Sequence, residues 1–252
     1  MGKIVAIMQP TYMPWLGYFS MIDQVDEFIF LDNVQLVDRS WQVRNKIKFN
    51  EKEKMLTIPV DHSIDRNQRY ICVAKYVDND WKVRHLATIK QAYSKARYFD
   101  EVFTFLKEIY DKECISLGDF TINLIIEISN KIGIRTVFQR SSQYDISGHK
   151  DELLANICRK VDADVYLSAQ GSAAYIEQDM PGGQIEAHGI RLLYHNYNHP
   201  HYTQMGSQFI SHLGIYDLLF NEGWSGALNI IKQGNLPNYT YFDFRKNILG
   251  LE

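Results

Sequence analysis

Three histidines, His195, His199 and His201, fall within seven residues of the segment YHNYNHPHYTQ that spans 194–204. Imidazole is the side chain whose ordinary pKa, ~6.5, lies beside cellular pH, so a histidine held by a rigid neighbour is a natural proton acceptor. His199, next to Pro200, is the expected general base, with Asp32 and Asp217 as carboxylates able to take its place. A metal is a weaker expectation. Alternate positions after a strand lack the His-x-x-x-His face of a helical zinc site, and no cysteine or carboxylate follows at ligand spacing. Tyr197, Tyr202 and Gln204 supply ring faces and directed hydrogen bonds of the kind that hold a sugar.

Three further segments carry candidate binding residues. In QPTYMPWLGYF (9–19) two prolines stiffen a loop, Gly17 permits close approach, and Gln9, Tyr12, Trp15 and Tyr18 offer an amide and aromatic rings. Asp32, Gln35, Arg44 and Asn45 follow the next strand, where Arg44 is expected to pair with Asp32 or to hold a phosphate or carboxylate. In SAQGSAAY (168–175), Ser168, Gly171 and Ser172 bring small residues to a helix start, an arrangement suited to a diphosphate, although the lysine of a P-loop is missing. Each segment also has a plainer reading, as a stiff turn, a solvated loop or a short connection.

The elements that must position these residues follow from hydrophobic spacing. Residues 3–8 read as a strand buried on both faces, 16–25 as an amphipathic helix and 27–31 as a second buried strand, a β-loop-α-β unit whose functional loops belong at the strands' carboxyl ends. Residues 47–49 and 55–60 read as a hairpin about Asn50-Glu51-Lys52-Glu53, and 70–76 as a short third strand. Helices are expected at 81–93, 100–110 and 119–132, the last capped by Gly133. Strands at 136–139, 164–168 and 190–197 resume the α/β alternation, with a helix at 151–161, two more near 215–220 and 227–233, and an irregular tail. The predicted fold is α/β, a Rossmann-like parallel sheet with an inserted antiparallel hairpin and a helical middle region at about 79–133, within one domain over 1–252.

Composition narrows the function. Hydrophobic residues at 46% and charged residues at 23% fit a globular chain and exclude disorder. With 27 Lys plus Arg against 30 Asp plus Glu, the net charge of −3 gives no field for a polyanion, and nucleic acid is not an expected partner. Cys72, Cys114 and Cys158 stand far apart, as expected of free thiols in a reducing compartment. No apolar run approaches the ~18 residues of a membrane span, and the first residues lack a signal-peptide cleavage pattern, so the expected location is the cytoplasm.

QPTYMPWLGYF, FLDNVQ and SWQVRNKI, followed by LLANICRKVDADVYLSAQGSAAYI, YHNYNHPHYTQ and LGIYDLLFNEG, resemble in order the blocks of the WbqC-like protein family. That resemblance implies a part in bacterial surface-polysaccharide (O-antigen) synthesis. The opening is also similar to that of nucleotidylyltransferase-like enzymes such as pantothenate synthetase, whose His-x-Gly-His signature would align with Trp15-Leu16-Gly17-Tyr18. Only the glycine is shared, so amide formation is the expectation rather than adenylyl transfer. The expected activity is acyl or aminoacyl transfer to a nucleotide-linked amino sugar. ATP or an activated acyl donor would be the co-reactant. The alternatives are a module that binds a nucleotide-sugar or glycan without turnover, and a nucleotidylyltransferase.

Overall fold

The computed structural model describes residues 2–251. Its strands are β1 (Ile4–Met8), β2 (Glu27–Phe30), β3 (Arg44–Phe49), β4 (Lys52–Thr57), β5 (Val137–Arg140), β6 (Val165–Ser168), β7 (Arg191–Tyr194) and β8 (Tyr239–Thr240). The helices are α1 (Leu16–Asp23), α2 (Asp80–Tyr93), α3 (Phe99–Asp111), α4 (Leu117–Ile132), α5 (Asp151–Lys160), α6 (Ala173–Ile176), α7 (Gly183–Ala187), α8 (Tyr216–Gln233) and α9 (Tyr241–Phe244).

β1 occupies the interior of a six-stranded sheet because both its faces are apolar. Val5 and Ile7 pack on one side and Ala6 on the other, while in β2 Phe28 and Phe30 join Ala6 and Ile29 joins Val5. The order is β5-β2-β1-β6-β7-β8; the first five are parallel, and β8 runs antiparallel to β7. Rings and aliphatic side chains of α1, α2, α3, α4 and α8 cover one face, and those of α5, α6, α7 and α9 the other. The helical middle therefore shares its core with the sheet. From β1 the chain builds outward through β2 and β5 on one side and β6 and β7 on the other, which opens a crevice at the carboxyl ends of β1 and β6.

β3 and β4 form a separate antiparallel sheet closed by a two-residue turn, with Asn50 at φ 49° and Glu51 at φ 61°, the left-handed pair that matches strand twist. α4 begins with a capping box between Ser116 and Asp119, and it ends, as its sequence predicts, at Gly133, which takes the left-handed conformation.

Two expectations are corrected. Residues 70–76 do not form a strand: Val73 and Ala74 donate their N–H groups to Tyr70 O, which curls the segment, and only isolated bridges form at Tyr70 and Tyr76. The two helices expected late in the chain are both present and abut within α8 at Gly223, whose φ of 70° and ψ of −179° break the run between them. The tail is not irregular throughout, because Tyr239 and Thr240 add a strand beside β7 and α9 follows. Among the described residues no helix is long and apolar enough to cross a membrane.

Candidate functional site

The crevice is organised around Trp15. Its indole lies over the first turn of α1, where a Cβ on Gly17 would meet the ring at 2.3 Å, so only glycine admits this pose. The imidazoles of His212 and His199 stack with the indole at 5.2 Å and 6.2 Å, and Tyr197 meets it edge-on at 5.5 Å. Rings from the loops after β1 and β7 thus hold one another in place.

Three adjoining hollows open here and share Met8. A polar lobe of about 310 Å³ lies between Trp15, Gly17, Tyr18, Gln170, Gly171, His195 and Tyr197. An apolar lobe of about 300 Å³ is walled by Thr11, Pro14, Trp15, Tyr18, Trp41, Asn45 and His212. A third, of about 250 Å³, runs past the end of β1 between Gln9, Gly171, Ser172 and Tyr175. Among the described residues, no Asp, Glu, Lys or Arg lines any of the three.

His195 is the proton-active group of the polar lobe. With the Asn235 amide oriented so that its Oδ1 accepts from Ser20 Oγ at 2.7 Å, and with Gln24 Nε2 donating to that hydroxyl, His195 Nε2, 2.9 Å away, is the donor to Ser20. The lone pair is therefore on Nδ1. Burial pulls the His195 pKa down to about 4, leaving the ring neutral at cellular pH. His199 is also lowered to about 4, by burial and then by the nearby His212. Its Nδ1 bonds Pro200 O at 2.9 Å and its Nε2 is buried without a hydrogen-bond partner. His199 lies behind the wall rather than on it, whereas His195 lines the lobe.

The structure brings Gln9, Trp15, Gly17, Tyr18, Asn45, Gly171, Ser172 and Tyr197 to the crevice. Ser168 lies buried at the end of β6, its carbonyl accepting from His195 N at 2.8 Å. Other expected residues are used elsewhere. Tyr12 is buried, its hydroxyl bonded to His85 Nδ1 at 2.8 Å and to the hydroxyl of Tyr110, and it serves the core. Asp32 accepts from Arg140 Nε at 2.6 Å and from Ser141 and Ser142; Arg140, not Arg44, is its partner, because β5 runs alongside β2. Arg44 keeps a buried Nε without a partner, and Gln35 donates to Arg66 O at 2.6 Å. Asp217 accepts from Tyr93 and Tyr202 at 2.9 Å each, and Gln204 staples its own loop to Ile210. Burial raises the Asp217 pKa to about 6, but the group belongs to this inner network. The diphosphate expected after β6 loses its helix: residues 170–172 are one 3₁₀ turn and α6 has four residues.

Sequence reasoning missed His195 as a site residue, together with Gln170, Trp41 and His212. The strand-end rule could have found Gln170 and His195, two residues after β6 and one after β7; nothing local marks Trp41 or His212. Among the described residues no three His, Cys, Asp or Glu side chains converge as metal ligands, and all three cysteines are free.

A profile of the WbqC-like protein family matches residues 9–228, taking in the loop after β1, the turn after β6, the His-rich loop and most of α8. The chain belongs to the WbqC-like protein family. This WbqC-like chain is also similar to "Uncharacterized protein Rv1507c" of Mycobacterium tuberculosis, 32% identical over 223 residues that cover 88% of this chain and 94% of that protein. No solved structure matches it.

Proposed function

We propose that this WbqC-like protein binds a nucleotide-linked amino sugar in the crevice and transfers an acyl or aminoacyl group to its amine during bacterial surface-polysaccharide synthesis. The chemistry of the wall carries the reading: rings, carboxamides and a lone-pair imidazole, without a charged side chain. Flat rings and neutral hydrogen-bonding groups suit a glycosyl face. A wall without Lys or Arg suits the uncharged glycosyl part of that ligand, leaving its diphosphate to the solvent, and is poorly matched to the charge that develops at a reacting phosphorus in phosphoryl or nucleotidyl transfer. Amide formation is favoured over nucleotidyl transfer for that reason.

In the proposed step the uncharged sugar amine attacks the carbonyl carbon of a thioester or acyl phosphate. The C–N bond forms, the bond to the thiolate or phosphate breaks, and the nitrogen's proton passes to His195 Nδ1 and then to the leaving group. An imidazole with a pKa of about 4 does not strip a free ammonium ion at neutral pH. Attack on a carbonyl makes the nitrogen far more acidic, and a neutral imidazole then suffices. The test is mass spectrometry of dTDP-linked amino sugars incubated with the protein and acyl thioesters or acyl phosphates. The expected product is heavier by one acyl group; binding of the sugar without acylation from any donor would leave a binding module and end the transferase reading.

A further inference from the structure

The two larger lobes of the crevice differ in a way the acyl-transfer reading does not require. Both are bounded by Met8, Trp15 and Tyr18, but the polar lobe presents His195 and Gln170, whereas the polar groups of the other are already engaged. Asn45 Nδ2 donates to Tyr12 O at 3.1 Å and Met13 O at 2.6 Å, and its Oδ1 accepts from Lys46 N at 2.8 Å. Tyr18 donates to Gln9 O at 3.1 Å, and Pro14 O accepts from Ile215 N at 2.9 Å. Thr11, the His212 ring and the indole N–H groups of Trp15 and Trp41 are what remain to meet a polar atom.

Trp41 closes this lobe. It is 52% exposed although large and apolar, yet its loop is tied down: Trp41 O accepts from Tyr12 N at 2.9 Å, and Gln42 Nε2 donates to Gln9 Oε1 at 2.6 Å. An indole held half in water over an apolar hollow is set to bury more surface when the hollow fills. A nucleobase would need partners for the donors and acceptors on its edge, and a sugar for its hydroxyls; a hydrocarbon needs none.

We propose that the lobe beneath Trp41 is the acyl-chain site of the donor, taking a short hydrocarbon chain whose carbonyl faces the shared wall of Trp15 and Tyr18. The inference rests on the acyl-transfer reading for the chain's role, while the site itself can be tested alone. Its volume of about 300 Å³ lies at the small end of ligand pockets, which fits a short chain rather than a long lipid tail.

The probe is a series of acyl-N-acetylcysteamine thioesters from acetyl to hexanoyl, with adenosine in parallel, titrated into protein carrying [15N]Trp and read at the four indole N–H signals. The Trp41 and Trp15 signals should move saturably with the thioesters while those of Trp81 and Trp224 stay. Each added methylene should tighten binding about fourfold, the equivalent of ~0.8 kcal/mol. Trp41→Ala should weaken hexanoyl binding at least tenfold with the Tm little changed, and Met8→Trp, which fills the lobe from below, should do the same. Indifference to chain length, or adenosine moving the same indoles at lower concentration, would overturn the assignment. Chain-length-dependent binding without transfer to any amine would defeat the transferase reading alone. Transfer whose chain preference is unchanged in Trp41→Ala would defeat the acyl-site assignment alone.

Discussion

At the scale of single residues, two histidines of equally low basicity differ in where they stand. His195 lines the polar lobe with a lone pair on Nδ1, and His199 stacks behind Trp15. Replacing His195 with Ala should lower kcat for amide formation by about 100-fold or more, the usual scale of a lost acid–base group, with KM little changed. His199→Ala should instead raise KM by loosening the indole platform, with a smaller effect on kcat. Steady-state kinetics of the two variants checks both; a larger kcat loss in the His199 variant would reverse the assignment. The sequence places three imidazoles in this segment. It did not show which ring faces the crevice, because that depends on Ser20 and Asn235, which lie 175 residues before His195 and in the turn after α8.

At the scale of elements, α1 presents the platform. Gly17→Ala would favour an ordinary helix by up to ~1 kcal/mol, but here the new methyl must displace the Trp15 indole. Affinity for a dTDP-linked amino sugar should fall at least tenfold while far-UV circular dichroism stays unchanged; calorimetric titration returning wild-type affinity would show that the pose of Trp15 does not matter. The parallel strands were legible because residues 3–8 and 27–31 are apolar on both faces, and the longer helices because of their spacing, which in α4 agrees with its caps. β8 was not, since two residues carry no periodicity and pair only because α8 returns the chain to β7. Residues 70–76 misled because Val, Tyr and Cys suit a strand, while the hydrogen bonds of Ile71 to Val34 O and Cys72 to Asp32 O bind the segment to a loop.

At the scale of the whole molecule, its buried ionisable groups set how stability depends on pH. His85, His195 and His199 have pKa values near about 4 in the folded protein against ~6.5 unfolded. Between those limits the unfolded chain binds protons that the native state refuses, so stability is full above about pH 6.5 and falls as pH drops toward 4. Asp217, raised to about 6, takes up its proton first in the native state and offsets one of the three. The urea midpoint should therefore be lower at pH 5 than at pH 7, with a shallower fall in His195→Gln, which keeps a donor for Ser20; an equal or higher midpoint at pH 5 would contradict this. The same order of strands that buries these groups opens the crevice between β1 and β6, on which the functional reading stands. Its most direct test is calorimetric titration of a dTDP-linked amino sugar into the wild-type protein and into Gln170→Ala and Gly17→Ala. Saturable one-to-one binding, weakened at least tenfold in both variants, is the predicted result; binding of wild-type strength in both, or none to the wild type, would contradict the account.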